Sequence, residues 1–214
     1  MAVREDGKGT RNRLLEAACQ VFSEKGYHDA TVAEICRRAG ANVASVNYHF
    51  GDKAHLYIEA WKYAFSQYPG PEEPDPSKPP QERLRDYIHS IVRFFMDQGP
   101  HGRFARLYLM ELLNPTGLIQ DLWHQLIKPK REILLGIIRE LMGKEEVDKD
   151  VIFCELSVIA QCRILITVRR WDLEYILGEP LSQDLMARWA DHITRFSLAG
   201  IRAVGKRTEE VRDG

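Results

Sequence analysis

The chain has 214 residues, of which 44% are hydrophobic, enough to build a buried core in one domain or two small ones. Its 30 basic residues nearly balance 31 acidic ones, and the net charge of −1 excludes a general attraction to nucleic acid or membrane, so any DNA binding must be local. No apolar run approaches the roughly 20 residues of a membrane span, and the N-terminal segment lacks the apolar core of a secretory signal, which predicts a cytoplasmic protein without a membrane partner.

Helical spacing recurs along the whole chain while strand signals are nearly absent, so the predicted fold is all-α. The first helix is expected over residues 11–25, where apolar residues recur three and four positions apart. Thr10 is its predicted N-cap, and Gly26 is its predicted left-handed C-terminal stop.

Two short helices are expected next. Thr31 is the predicted N-cap of the first, with Glu34 three residues later completing a capping box, and Gly40 ends this helix. Asn42 is the predicted N-cap of the second, which covers residues 43–50. Two short helices joined by a three-residue turn that contains glycine are typical of a helix-turn-helix.

A fourth helix, capped by Asp52, is expected to complete an N-terminal domain over residues 1–68. Residues 69–80 hold six of the ten prolines and are predicted to form an exposed loop, because proline lacks the N–H that a helix needs. Helical spacing then resumes, which predicts a larger helical domain over residues 81–214.

Five helices are expected in this larger domain, over residues 83–97, 103–113, 117–142, 151–171 and about 184–204. Pro129 should kink or split the third of them. The segment 151–171 is apolar nearly all round, which favours a central buried helix.

In a helix-turn-helix the second helix enters the major groove, while flanking side chains and helix N-termini contact phosphates. Asn47 can both donate and accept at an adenine edge, and Tyr48 and His49 can bond phosphate oxygens. Lys53 stands at the start of the fourth helix, where its charge and the free N–H groups can meet a phosphate. A packed tyrosine and a capping histidine are the alternative for Tyr48 and His49.

The stretch from Thr10 to about Phe65, with F-x-x-x-G-Y-x-x-x-T followed by Y-H-F-x-x-K, resembles the N-terminal domain of the TetR family of bacterial transcriptional regulators. Many members carry tyrosine at the position of Asn47 and serine or threonine at that of Asn42. Arg11 and Arg13 are either additional backbone contacts or solvated charges. Phosphate and groove contacts together are implied for Thr31, Asn42, Val43, Ala44, Ser45, Asn47, Tyr48, His49 and Lys53.

Residues 102–143, with the later AQCRILI, resemble the C-terminal domain of the CecR-type subset of this family. The resemblance implies that this domain dimerises and holds a small ligand whose binding changes the spacing of two DNA-binding heads. Apolar and aromatic side chains with a few polar groups are typical of such a pocket, and plain core packing is the alternative. The candidate ligand-binding residues are Phe104, Tyr108, Trp123, His124, Gln161 and Arg163.

Arg163 interrupts an apolar run, and a buried arginine is costly unless it is paired. It is therefore expected to meet a carboxylate such as Glu111 or an anionic group of the ligand. His124, with His101 and Glu111, could be imagined as metal ligands, but their spacing matches no known site, and we expect no metal and no other cofactor. The four cysteines form no CxxC pair, which favours buried structural side chains over a redox or metal role.

The final helix carries a stripe that can pair with a symmetry mate, together with part of the segment 151–171, into an isologous four-helix interface. An intramolecular core is the alternative. The candidate dimer residues are Trp189, Ile193, Phe196 and Gly200.

These patterns predict a homodimeric regulator that binds a palindromic DNA operator, most simply a repressor released by a small-molecule effector. An enzyme is the second hypothesis, but the sequence has no Gly-rich phosphate loop, GxSxG elbow or HExxH motif. A helical adaptor that has lost DNA binding is the third, and salt-independent or absent DNA association would favour it.

Overall fold

The computed structural model describes residues 2–67, 74–97, 99 and 102–212, and the side chains among them from residue 8 to residue 206. These residues form ten α-helices and no strand, which confirms the all-α prediction. The helices are α1 (Ala2–Asp29), α2 (Val32–Ala39), α3 (Val43–Phe50), α4 (Lys53–Ser66), α5 (Pro80–Met96), α6 (Arg103–Leu113), α7 (Gln120–Leu141), α8 (Lys149–Thr167), α9 (Arg170–Leu177) and α10 (Gln183–Arg212).

The first helix begins earlier than its sequence signals indicate. Because α1 starts at Ala2, the prediction of Thr10 as its N-cap is wrong, and the Thr10 hydroxyl instead accepts a 3.0 Å hydrogen bond from Arg13. The predicted stop at Gly26 is confirmed as a break, with φ 74° and ψ 179°, after which a last turn continues to Asp29. Only glycine adopts this conformation without strain.

The predicted N-caps of the three following helices are confirmed. The side chains of Thr31, Asn42 and Asp52 accept hydrogen bonds from the backbone N–H groups three residues ahead of them. The capping box is wrong in its second half, because the Glu34 carboxylate bonds Lys25 and Arg38. Local side chains therefore set where α2, α3 and α4 begin.

Packing divides the chain into two compact units. One comprises residues 1–69 and 97–124, and the other comprises 70–96 and 125–214, with the boundary inside α7. The segment from Asp97 to His124 thus packs with the N-terminal helices, since α6 contacts both α1 and α4. The division into domains at residues 68 and 81 stays a prediction.

The first unit has its core where α1, α4 and α6 meet. Large side chains from all three helices are fully buried there, so the short helices α2 and α3 rest on a rigid support. The buried residues include Leu14, Phe22, Leu56, Trp61 and Leu107, each with an exposed fraction of 0%.

The second unit packs α5, α8 and α10 against one another and against the C-terminal part of α7. Its core holds one buried carboxylate, Glu155, which accepts two 3.1 Å hydrogen bonds from the Arg131 guanidinium. The bidentate geometry supplies the partner that a buried charge requires. Pro129 lies inside α7, and the helix continues through it, so the predicted split is wrong and the predicted kink stays a prediction.

The expectation of one buried helix over residues 151–171 is wrong in two respects. The segment is divided, because α8 ends at Thr167 and the unpredicted α9 begins at Arg170. One face of α8 is also open, with Phe153 59% and Leu156 52% exposed. Apolar composition alone does not distinguish a core helix from a helix with an uncovered apolar face.

The proline-rich segment is described only in part. Residues 69–73 of the predicted loop lie outside the described residues, as does His101. The loop ends one residue earlier than expected, because Pro80 is the first residue of α5, where a missing N–H costs nothing. In the part of the chain that the structure describes, no single helix is long and apolar enough to cross a membrane, although α8 and α9 together pass that test as a pair bent by 107°.

The four cysteines are buried and unpaired with one another. The Cys19 thiol donates to the Ala60 carbonyl, and burial raises its pKa to about 12. Burial likewise raises the pKa of the Cys162 thiol to about 12. Thiols with such pKa values are protonated at neutral pH and therefore poor nucleophiles and metal ligands. Among the described residues no cluster of histidine, cysteine and carboxylate side chains is suited to hold a metal ion.

Candidate nucleic-acid interface

The helix α3 has one buried and one open face. Val46 is fully buried and Phe50 is 8% exposed, so these two residues fix the helix on the first unit. On the opposite side Tyr48 is 85% exposed, and Asn42, Val43, Ala44 and Asn47 are exposed as well. This is the geometry of a short helix that can enter a groove while its inner residues hold it.

The start of α3 is fixed by the same residues that are predicted to contact DNA. The Asn42 side-chain oxygen accepts from the Ser45 N–H at 2.9 Å and from the Ser45 hydroxyl at 3.0 Å. The cap therefore occupies the carboxamide oxygen of Asn42 and leaves its NH₂ group to reach a base or a phosphate. Asn42 therefore caps α3, and its predicted contact with DNA is a separate role that stays a prediction.

Three rings follow one another at the C-terminal end of α3. Tyr48 and His49 lie edge to face with centroids 4.9 Å apart, and His49 lies 6.1 Å from Phe50. His49 is half-buried between an exposed ring and a buried one, which restricts its orientation. The alternative of a packed tyrosine does not fit Tyr48, whose side chain is open to solvent.

Lys53, the first residue of α4, lies across the end of α1. Its ammonium is 4.5 Å from the centroid of the Tyr27 ring and donates a long 3.5 Å hydrogen bond to the His28 carbonyl. Partial burial lowers the pKa of Lys53. Thr31, predicted to contact a phosphate, is exposed at the start of α2, where its oxygen serves as the cap.

Arg11 and Arg13 are tied into the first unit. Arg11 pairs with Glu59 at 2.7 Å and lies 5.2 Å from the centroid of the Phe50 ring, while Arg13 donates to the Ala39 carbonyl at 3.2 Å. They therefore brace α1 against α4, α3 and the end of α2. Sequence reasoning missed these contacts because the partners lie far along the chain.

A group of charged side chains joins α1 to α2. Arg38 bonds the carboxylates of Glu24 at 2.7 Å and Glu34 at 2.9 Å, and Glu34 also bonds Lys25 at 2.7 Å. The bonds to Arg38 and Lys25 hold the pKa values of both glutamates below their ordinary range. The network restricts α2, which in turn contacts α3.

The predicted ligand-binding residues divide between the two units. In the first unit, Phe104 and Tyr108 are buried, and Tyr108 stacks on Trp123 with centroids 4.8 Å apart and planes at 13°. Trp61, which the sequence did not single out, packs against both Phe104 and Trp123. His124 is exposed.

The two remaining candidates belong to α8 in the second unit. Gln161 donates to the Ser197 hydroxyl on α10 at 3.3 Å and to a backbone carbonyl of its own helix. Arg163 is half-buried, so its desolvation cost is smaller than the sequence indicated. Glu111, suggested as its partner, accepts hydrogen bonds from Tyr57 and Thr116 in the first unit.

The four predicted dimer residues differ in exposure. Ile193 is 1% exposed and Trp189 packs against the core of its own unit, whereas Phe196 is 65% exposed and Gly200 is exposed. Their assignment to a dimer interface stays a prediction. Part of the segment 151–171 was expected in the same interface, but its open apolar residues, Phe153 and Leu156, were not singled out, because the segment is apolar nearly all round.

The helix α3 is short and capped. Its outer face is open, and its inner face is held by buried helices. This geometry is typical of DNA-binding regulators with a helix-turn-helix. A family model described as "Bacterial regulatory proteins, tetR family" matches residues 14–60, and one described as "HTH-type transcriptional dual regulator CecR, C-terminal domain" matches residues 80–201. The chain belongs to the TetR family, with a CecR-type C-terminal domain. Members of this family are transcriptional regulators with a DNA-binding helix-turn-helix, not enzymes.

Relatives agree with this placement. CecR of Shigella flexneri, an HTH-type transcriptional dual regulator, is 27% identical over 72% of this chain and 74% of its own length. The probable regulator YttP of Bacillus subtilis is 25% identical over 61% of this chain, and the match spans only 64% of YttP. The crystal structure of Bacillus subtilis FadR in complex with stearoyl-CoA shares the fold, with a TM-score of 0.64, 19% identity and coverage of 88% of this chain and 97% of FadR.

Proposed function

We propose that this protein is a cytoplasmic, homodimeric repressor that binds a palindromic operator and leaves it when a small molecule binds the C-terminal domain. The observation that carries the proposal is the side chain of Tyr48, 85% exposed on a helix whose inner residues Val46 and Phe50 are buried. A large aromatic residue so exposed on a rigid helix suits contact with another molecule better than packing within its own chain.

DNA recognition would use two kinds of contact. Residues at the start of α3, from Asn42 to Asn47, would lie along the groove floor, where their small or polar side chains let the backbone approach. Tyr48, His49, Thr31 and Lys53 would bond phosphates on either side and fix the register of α3. The net charge of −1 is compatible with this division, because the phosphate contacts are few and local.

Effector binding would use the aromatic residues of the C-terminal region. In the first unit, Phe104, Tyr108 and Trp123 form a cluster suited to an apolar or aromatic molecule. In the second unit, Gln161 and Arg163 are the polar candidates, and each unit is considered by itself. FadR, whose crystal structure holds stearoyl-CoA, supports the idea that this fold accepts small effectors. The effector must prefer the form that does not fit DNA, since equal affinity for both forms shifts nothing.

Two symmetric heads are required to read a palindrome, because half-sites lie about one helical turn apart. The exposed apolar residues of α8 and α10 support self-association, since Phe153, Leu156 and Phe196 are all more than half exposed in the single chain. Pairing these helices about a two-fold axis would cover them.

The proposal is tested by fluorescence anisotropy with a labelled duplex selected by the wild-type protein from a random-sequence pool, over a salt series. The affinity of the wild type should fall as salt rises, because Lys53 neutralises a phosphate. The double variant Tyr48→Ala, His49→Ala should lose most of the affinity, because two hydrogen bonds to phosphates disappear. Tyr175→Ala is the matched control, since Tyr175 is 84% exposed but lies on α9 in the other unit. Failure of the wild type to select any duplex, or equal binding by the double variant, would overturn the proposal.

A further inference from the structure

In the protein without DNA, the ammonium of Lys53 already has a defined position. It lies 4.5 Å from the centroid of the Tyr27 ring and donates to the His28 carbonyl at 3.5 Å. Both partners come from the last turn of α1, just after the break at Gly26. An ammonium placed over an electron-rich ring is attracted to it, and more strongly where water is partly excluded.

The Tyr27 ring is itself held in place. It packs against Tyr57, with centroids 5.1 Å apart, and against Phe22 at 6.3 Å. Tyr57 and Phe22 are almost completely buried, at 1% and 0% exposure. A ring fixed by the core of the first unit gives Lys53 a rigid platform, whereas a lysine side chain alone is flexible.

We propose that Tyr27 is a positioning residue that holds the Lys53 ammonium where it meets a DNA phosphate. The inference rests on the proposed function, because it assumes that Lys53 contacts DNA. An ammonium has three donors, so the bond to the His28 carbonyl leaves others for phosphate oxygens. Holding the lysine before binding lowers the entropy that the contact costs when DNA arrives.

A carboxylate near Lys53 offers its ammonium a second partner, with which the Tyr27 ring competes. The carboxylate of Asp29 is close enough to act on the pKa of Lys53, against the larger effect of burial. Without the Tyr27 ring, the flexible lysine can turn toward this carboxylate, and a charge so paired is a weaker phosphate ligand. Tyr27 therefore affects binding through the placement of Lys53 and not through a contact of its own.

The test compares binding to the selected duplex by wild type, Tyr27→Leu, Tyr27→Phe and Lys53→Met over a potassium chloride series. Lys53→Met should lower the slope of log K against log salt by about 0.9 for each protomer bound, because one phosphate contact is lost. Tyr27→Leu should weaken binding about 3- to 10-fold and move the slope toward that of Lys53→Met. Tyr27→Phe should retain the wild-type slope, since it keeps the ring face.

Two further measurements separate positioning from a fold defect. Replacing Tyr27 by 3,5-difluorophenylalanine keeps the shape of phenylalanine but withdraws electrons from the ring. The DNA affinity of this variant should therefore lie between those of Tyr27→Phe and Tyr27→Leu. The double variant Tyr27→Leu, Lys53→Met should bind no more weakly than Lys53→Met alone, because coupled residues are not additive. Tyr63→Leu, a partly exposed tyrosine of α4, controls for loss of an aromatic ring.

The possible failures are distinguishable. If Lys53→Met binds like the wild type, the phosphate contact of Lys53 in the proposed function is wrong, and the inference is overturned with it. If Lys53→Met loses the contact but Tyr27→Leu does not, only the inference is overturned. Equal losses in Tyr27→Phe and Tyr27→Leu would assign the effect to the hydroxyl and also overturn it.

Discussion

Tyr57 of α4 donates a 2.8 Å hydrogen bond to the carboxylate of Glu111 on α6, from a side chain that is only 1% exposed. Burial and the neighbouring carboxylate together raise the pKa of the Tyr57 hydroxyl well above its ordinary value. The hydroxyl therefore stays protonated and donates at any pH the protein meets. Glu111 also accepts from the backbone and the hydroxyl of Thr116, so one carboxylate fixes α4 and the loop after α6.

Tyr57→Phe should lower the free energy of unfolding by about 1–2 kcal/mol, because it removes a buried hydrogen bond to a charged group. Urea unfolding followed by tryptophan fluorescence measures this difference. Tyr63→Phe is the matched control, since Tyr63 is also on α4 but its hydroxyl has no hydrogen-bond partner among the described residues. Equal stability of the two variants would show that the bond to Glu111 contributes nothing.

Two asparagines, Asn42 at the N-cap of α3 and Asn47 on its open face, separate folding from recognition. Asn42→Ala removes the N-cap that accepts from Ser45 and should destabilise the protein by about 1 kcal/mol. Asn47→Ala changes an exposed residue and should leave stability within about 0.5 kcal/mol of the wild type. If Asn47 contacts a base, the same variant should weaken binding to the selected duplex by about 1–3 kcal/mol.

Thermal unfolding and DNA titration of both variants check this pair. Asn42→Asp is a useful control, because aspartate also caps helices but adds a negative charge where the proposed function places DNA. Compared with Asn42→Ala, the Asn42→Asp variant should be as stable as the wild type but should still bind DNA weakly. Loss of stability in Asn47→Ala would contradict the assignment of that side chain to the open face.

Sequence predicted best the features that depend on neighbouring residues. The caps at Thr31, Asn42 and Asp52 and the break at Gly26 each involve groups within a few positions, and all were found. The start of α1 was missed because Thr10 has a side chain suited to an N-cap. In the structure, however, Thr10 lies inside the helix and does not cap it. A local signal shows what a residue can do, and the rest of the chain decides whether it does so.

Contacts between distant residues could not be predicted. Lys53 with Tyr27 and Arg11 with Glu59 are separated by 26 and 48 positions, and no spacing rule connects them. Burial was equally hard to judge on α8, where Phe153 has the composition of a core residue but is 59% exposed. The side chains of a core and of an uncovered apolar face are chemically the same.

A pH-dependent link joins α5 to α10 in the second unit. The Asp191 carboxylate contacts His89 at 2.8 Å and Arg85 at 2.9 Å. The hydrogen bond from His89 is the main reason why the pKa of Asp191 lies below its ordinary value. Because the pKa is lower in the folded state, the link stabilises the fold above pH of about 4 and loses its contribution as the pH falls through the folded-state value.

Asp191→Asn should remove this contribution, about 0.5–1 kcal/mol at pH 7 because both ends are partly exposed, and flatten the stability curve on the acid side. Urea unfolding at a series of pH values between 3 and 7 measures it. Asp184→Asn, on the same helix with a side chain 87% exposed, serves as the comparison. An acid-side slope that stays unchanged in Asp191→Asn would assign the pH dependence to other carboxylates.

Self-association is expected to depend on the open apolar residues of α8 and α10. Phe196→Glu and Phe153→Glu each place a charge on a side chain that is more than half exposed, so the isolated fold should tolerate them, whereas a dimer would have to bury the charge. Each variant should weaken dimerisation more than 10-fold, since large aromatic residues dominate interface energies. Sedimentation equilibrium gives the dissociation constants.

Tyr175→Glu adds the same charge at a residue of α9 that is 84% exposed, and it should leave the dimer intact if the interface is confined to α8 and α10. The DNA affinity of Phe196→Glu should fall as well, because two linked heads bind a palindrome more tightly than either head alone. A wild-type protein that sediments as a monomer, or a dimer insensitive to both phenylalanine variants, would show that these residues face something other than a second copy.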